Sequence, residues 1–154
     1  MSKLSTFAVI GCFASLIVAG RTAAMDMHDG KAQAVAMVKR GIAYIKAHGN
    51  DEAYAAFTGR KGEFRDAQHY LVVYRLDGMV LAHGQNRKMV GKNLIYLRDV
   101  NGDPFIRKTV DLAQEREAFW MNHKFTNPAT RKVAPMQMYC ERLEQSVICS
   151  GHFM

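Results

Sequence analysis

The usual catalytic signatures are missing from this sequence. It contains no G-x-S-x-G nucleophile turn, no H-E-x-x-H pair, no C-x-x-C-H haem attachment and no glycine-rich phosphate loop. Each of those chemistries needs its residues at a fixed spacing, so the expectation is a protein that is not an enzyme and carries no cofactor. Cysteine is scarce, with three in 154 residues, and there is no second closely spaced pair to build a zinc site. The six histidines, His28, His48, His69, His83, His123 and His152, have no ligand spacing, and no metal is expected. Asp99-Val100-Asn101-Gly102-Asp103 resembles a calcium loop only superficially. Its glycine is fourth instead of sixth, and Val110 stands where a bidentate glutamate belongs. Charge of one sign is never concentrated. Lysine and arginine total 21 against 14 acidic residues, but they are scattered without interleaved aromatics, which argues against nucleic acid as a partner.

Long apolar runs are also absent after the first 24 residues. Lys3 provides a positive start, Phe7 to Gly20 an apolar stretch, and Thr22-Ala23-Ala24 small residues before Met25. This is the layout of a secretory signal peptide over 1–24, too short and too rich in glycine and alanine for a bilayer anchor. Val9-Ile10-Gly11-Cys12 resembles a lipoprotein box, but the apolar run continues past Cys12. An uncleaved N-terminal anchor is the alternative. With cleavage, residues 25–154 form one domain in the periplasm or outside the cell, with no stable membrane span. Subtracting Lys3 and Arg21 from the net +7 leaves +5, a weak field for small anions.

Hydrophobic spacing organises the remainder. Val35, Val38, Ile42 and Ile45 recur at helical intervals from Asp29, a candidate N-cap, to His48, with Gly49 beyond the end. A short helix restarts at Asn50 or Asp51. The runs "HYLVVYRL" and "MVLAH" flank Asp77-Gly78, a hairpin signal. If opposed residue numbers sum to 155, Tyr70, Val72, Tyr74, Leu81 and His83 share one face, and Leu71, Val73, Val80 and Ala82 the other. An irregular segment follows, ending at Asp103 as N-cap and Pro104 as first helical residue. "AFWMNHKFT", "VAPMQMYCERL" and "SVICSGHF" read as three more strands. The order of elements predicts an α+β fold: an antiparallel five-stranded sheet with helices segregated to one side.

Symmetric closure of the last two strands about Glu144-Gln145 makes opposed numbers sum to 289, which places Cys140 opposite Cys149. Directly opposed strand residues come close enough for a disulfide in an oxidising compartment; two free buried thiols are the competing reading. The sheet's uncovered face needs a lid, and the irregular stretch 84–103 is the natural one. Beneath it a small pocket is expected, lined by Tyr70, Tyr74 and His83, with Trp120 and Tyr139 contributed by the later strands. For each residue taken singly, an ordinary half-buried core role competes with this.

The stretch "YLVVYRLDGMVLAHGQNRKMVGKNLIYLRDVNGDPF" resembles the single Cache domain family, in particular its second type. That family's pattern runs through an Asp-Gly hairpin, "AHG-x-N", "GKN-L" and "D-x-x-G-x-P-F". "FWMNHKFTNP" resembles the family's "GWVDYKWPNP", and Tyr139-Cys140-Glu141-Arg142 its "SYVERV" strand. The resemblance implies a PAS-like five-stranded antiparallel sheet behind a long N-terminal helix, sensing small ligands, often short organic acids, outside the cytoplasm. It implies a small-molecule ligand and a membrane-bound sensor or receptor as partners, in a stand-alone secreted version. His83, Asn86, Trp120 and Tyr139 keep the family's residue types, and Asn122-His123 stands where the family has its "DY" pair. With Tyr70 and Tyr74 of the hairpin face, the expected ligand-binding set is Tyr70, Tyr74, His83, Asn86, Trp120, Asn122 and Tyr139, while Gly91 and Asn93 shape the covering loop. Two departures stand out: Met136 occupies a position often held by lysine, and Phe119 the family's glycine. A smaller, neutral or more apolar ligand is implied, or a structural and protein-interaction module of the same fold that has lost binding.

Overall fold

A long amphipathic helix comes first. In a computed structural model that describes residues 22–59, 62–66, 68–127 and 129–154, α1 runs over Thr22–His48. It begins before Asp29, which is therefore interior to the helix and no cap; the run Phe7 to Gly20 lies outside the described residues. Ala34, Met37, Val38 and Ile45 form the buried stripe, with Ile42 at its margin. The Gly49 amide donates to the Ile45 carbonyl (2.8 Å), and α2 (Asn50–Thr58) follows with Gly49, not an Asn or Asp side chain, at its N-cap.

Five strands form one antiparallel sheet: β1 (Leu71–Arg75), β2 (Val80–His83), β3 (Ala118–Thr126), β4 (Val133–Leu143) and β5 (Ser146–Phe153), in the spatial order β2-β1-β5-β4-β3. The β4–β5 register matches the expected symmetry, Met136 facing Phe153 and Cys140 facing Cys149. Those two cysteines are bonded, with Cα atoms 4.1 Å apart.

The first hairpin departs from simple symmetry. Val72 faces His83 and Val73 faces Ala82, but Tyr74 faces Val80. Leu81 is therefore the extra residue of a bulge, and a one-residue slip exchanges faces. Val80 joins Tyr70, Val72, Tyr74 and His83, whereas Leu81 packs on the helix side, the reverse of the expected assignment. Gly78 closes the turn at φ 90, the left-handed region that disfavours a Cβ. An added Cβ would lie 2.5 Å from that of Ile95.

Helices cover both faces, not one. α1 and α2 bury Phe57, Leu71, Val73 and Ile148 on one side; each such side chain contributes about 1.5–3 kcal/mol relative to exposure. On the other side α3 (Phe105–Glu115) lays Phe105, Ile106, Val110 and Ala113 against Val72, Val147 and Cys149. Its buried positions are spaced at three and four, so it needs an apolar partner, and the sheet face opposite α1 supplies one. Pro104, one residue later than expected, holds the N-cap position.

Candidate functional site

The segment from Gly84 to Asp103 is irregular apart from a 3-10 turn at Arg87–Met89, and it lies over the α3 side of the sheet. Its backbone is pinned at several points. The Gly91 amide donates to the Val80 carbonyl (2.9 Å), the Val80 amide to Lys92 and the Leu94 amide to Gly78 (both 3.0 Å). The Asn93 side chain donates to the Asp77 carbonyl (2.9 Å). At the far end, Asp99 accepts the amides of Asn101 (2.8 Å) and Asp103 (3.0 Å) on one oxygen and that of Lys124 in β3 (2.9 Å) on the other. Asp99 is thus a staple between cover and sheet, a role that sequence reading missed; these amide bonds hold its carboxyl below the usual range against a smaller opposing effect of burial.

Beneath the cover sit Tyr70, Val72 and Tyr74 of β1 and His83 at the end of β2. Phe105, Met89, His123, Phe125, Met136 and Met138 complete the lining. His83 is 3% exposed and its ring stacks on Tyr70 with centroids 5.4 Å apart. Nδ1 accepts the amides of Gln85 (3.2 Å) and Asn86 (3.0 Å), which assigns the neutral ring's proton to Nε2. Burial lowers its pKa to about 4, so at neutral pH it is an uncharged donor. Burial raises the Tyr70 phenol to about 12 and the Tyr74 phenol further. His123 stacks on Phe105 at 4.5 Å and 3°; burial lowers it to about 4, opposed by Asp99 and Asp103. No lysine, arginine or carboxylate lines this space.

The space itself is small. Only about 10 Å³ is free, barely room for one water. Met136 and Met138 are among the side chains that close around it, and Met136 Cε and Met138 Cγ each lie 2.6 Å from where a Cβ on Gly151 would stand. Phe119, at the family's glycine position, is not in this lining and pairs with Cys140 elsewhere in the same core.

The sequence-derived set divides in two. Tyr70, Tyr74 and His83 come together. Asn86 is exposed and caps the 3-10 turn, its Oδ1 accepting the Lys88 amide (3.2 Å). Trp120, Asn122 and Tyr139 lie on the opposite, α1 face of the sheet, which corrects the expectation that they share one pocket with the others. Trp120 is 38% exposed, with Lys31 over its ring and Tyr139 at 5.1 Å. Asn122 accepts from Gln137 (3.1 Å), and the Tyr139 hydroxyl donates to Glu141 (2.6 Å). Strand alternation explains this: their neighbours Phe119, Met121, His123, Met138 and Cys140 face inward. Those inward neighbours carried a signal in the sequence, the M-x-H and M-x-M spacings, but nothing there said which parity points to the cover. Among the described residues, no group of three or more His, Cys, Asp or Glu side chains is placed to hold a metal, and no helix is long and apolar enough to cross a membrane.

A five-stranded antiparallel sheet with a long helix on one face and an irregular cover over an aromatic-lined hollow on the other defines an α+β, PAS-like architecture. The model of the family "Single Cache domain 2" matches residues 17–154, and the chain belongs to that family. Among solved structures it is similar to a methyl-accepting chemotaxis protein from Vibrio parahaemolyticus RIMD 2210633 (TM-score 0.71, 21% identity, covering 84% of this chain and 92% of that one). A periplasmic sensor domain of a chemotaxis protein matches with TM-score 0.67 and 18% identity over 88% and 99% of the two chains. A Cache chemosensory domain described for carboxylic acid recognition matches with TM-score 0.69 and 14% identity over 87% and 99%. At such identities these likenesses establish the fold. No curated protein matches the sequence.

Proposed function

We propose that this chain is an extracytoplasmic sensor module that performs no chemistry and binds one small, uncharged, polar molecule under the 84–103 cover. The observation that carries this reading is the neutral His83, locked by two cover-segment amides and stacked on Tyr70. A ligand accepting from Nε2–H touches the same ring that anchors the cover, so binding is felt by the backbone of Gln85 and Asn86. One structural neighbour is described for carboxylic acid recognition; here Met136 stands without a cation nearby in the lining. A buried carboxylate would lack a counter-charge, which favours amides, ureas or protonated short acids. Residues 1–24 act as the export signal and 25–154 as the working domain, presenting the bound state to a membrane-bound sensor or receptor.

A thermal-shift screen of short carboxylic acids, amines, amides and urea tests this. A true ligand adds roughly 2.7 kcal/mol at about a hundredfold excess over its Kd. The expected result is a shift that grows as pH falls for acids, is pH-independent for amides, and is absent in His83→Ala. Uniformly flat curves overturn it.

The filling of the hollow by Met136 and Met138 favours a second reading, a protein-interaction module without a ligand. Capture of the same membrane sensor from periplasm by wild type and His83→Ala alike, with flat melting curves, supports this one instead.

A further inference from the structure

Four side chains on the inner face of β3 and β4 form a block that sequence spacing alone does not reveal. His123 lies directly opposite Met136, and Met121 directly opposite Met138. M-x-H on one strand and M-x-M on its neighbour put all four on one face, where opposed Cβ atoms are about 4.5–5.5 Å apart. All four are buried, between 2% and 7% exposed. Gly151 on β5 permits the arrangement, since the Met136 methyl and the Met138 γ-carbon converge on the spot its Cβ would occupy. Packing by itself asks only for volume, and leucine or isoleucine would supply that. The imidazole is harder to explain: His123 Nδ1 is fully buried and has no hydrogen-bond partner, a state that costs the desolvation of a polar atom.

We propose that His123, Met136 and Met138 form a binding site for a soft monovalent cation, Cu(I) or Ag(I), with Met121 as a fourth donor. Thioethers select such ions and imidazole suits copper, whereas hard divalent ions favour carboxylate donors, which are missing from this lining; its side-chain oxygens are the Tyr70 and Tyr74 hydroxyls. The buried Nδ1 of His123 has no hydrogen-bond partner to displace, so a ring nitrogen is free to coordinate. The Thr109 hydroxyl lies within reach of both the Phe105 carbonyl (2.8 Å) and Met121 Sδ (2.7 Å), and donating its one proton to the carbonyl leaves the sulfur lone pairs free. A bare ion needs far less room than an organic ligand, so the small residual gap does not exclude it. The site shares the covered hollow but does not depend on the small-molecule reading.

The test is Ag(I) binding without reductant, which would open the Cys140–Cys149 bond, using the full chain with Cys12→Ser to remove the remaining thiol. Competition binding is read beside the 13C-methyl resonances of the methionines. We expect one Ag(I) per chain, with the Met136 and Met138 methyl signals shifting. The near-isosteric double variant Met136→Leu/Met138→Leu and, separately, His123→Phe should each weaken binding by roughly tenfold or more while keeping the wild-type circular dichroism spectrum. No uptake, equal affinity in the double variant, or shifts confined to methionines outside the hollow would overturn the assignment. A flat screen of organic ligands leaves it standing, and Ag(I) binding leaves the organic-ligand reading to its own test.

Discussion

His123 lies across from Met136 in the β3–β4 ladder with its ring parallel to that of Phe105 in α3, centroids 4.5 Å apart. One imidazole thus joins the sheet, the first residue of α3 and, through the Asp99 staple on the neighbouring Lys124 amide, the end of the cover. Its protonation bears on all three.

Stability should fall with acid in a defined window. His83 and His123 titrate near 4 in the fold because burial disfavours their charged forms, against about 6.5 unfolded. The unfolded chain therefore binds more protons between these values, so both contributions are complete above about pH 6.5 and decline as pH drops toward 4. Each histidine adds a slope of up to about 1.4 kcal/mol per pH unit. Urea unfolding at pH 7, 6 and 5 reads this directly. His123→Phe should flatten the profile, and a wild-type profile without slope in that window refutes the assignment.

The disulfide should be worth more than its position in a tight hairpin suggests. Cys140 and Cys149 enclose a short loop, nine residues apart, for which chain-entropy arguments give roughly 2–3 kcal/mol. Both sulfurs also sit in the α3-side core. Reductant, or Cys140→Ala with Cys149→Ala, is expected to lower the denaturation midpoint. An unchanged midpoint on complete reduction would show that the constraint does not stabilise the fold.

Gly78→Ala should be among the most damaging single-methyl changes. The turn holds φ 90 there, and the new Cβ would meet Ile95 at 2.5 Å. Left-handed strain and overpacking together cost roughly 2–4 kcal/mol. Thermal unfolding measures it; a loss below that of an exposed Ala substitution would contradict the close contact between hairpin and cover.

The two faces of the sheet should respond separately. Once a ligand is identified, Tyr70→Phe and His83→Ala are expected to abolish its thermal shift, while Trp120→Phe and Asn122→Ala leave it intact because they face α1. Loss of the shift in the latter pair would place the ligand on the helix side.

Much of this fold was legible in the sequence because local spacing controls it. The stripe of α1, the Asp77-Gly78 turn, the covering segment and the β4–β5 register with its opposed cysteines all depend on residues close in the chain. Asn93 and Gly91 serve the cover as the family resemblance implied. Trp120, Asn122 and Tyr139 were assigned to the wrong face for a physical reason: alternation divides a strand into two sets without saying which set faces which layer. That choice follows from Leu71 pairing with Ser150, and Ser150 with Tyr139, a contact between strands far apart in the chain.

Periodicity, turn chemistry and the closing hairpin's symmetry determined the elements and their local registers, since those interactions act over a few residues. The bulge at Leu81, the placing of α3 opposite α1 and the filling of the hollow by Met136 and Met138 were decided only in three dimensions. Each depends on which apolar surfaces meet and how much volume their side chains occupy once the sheet is assembled.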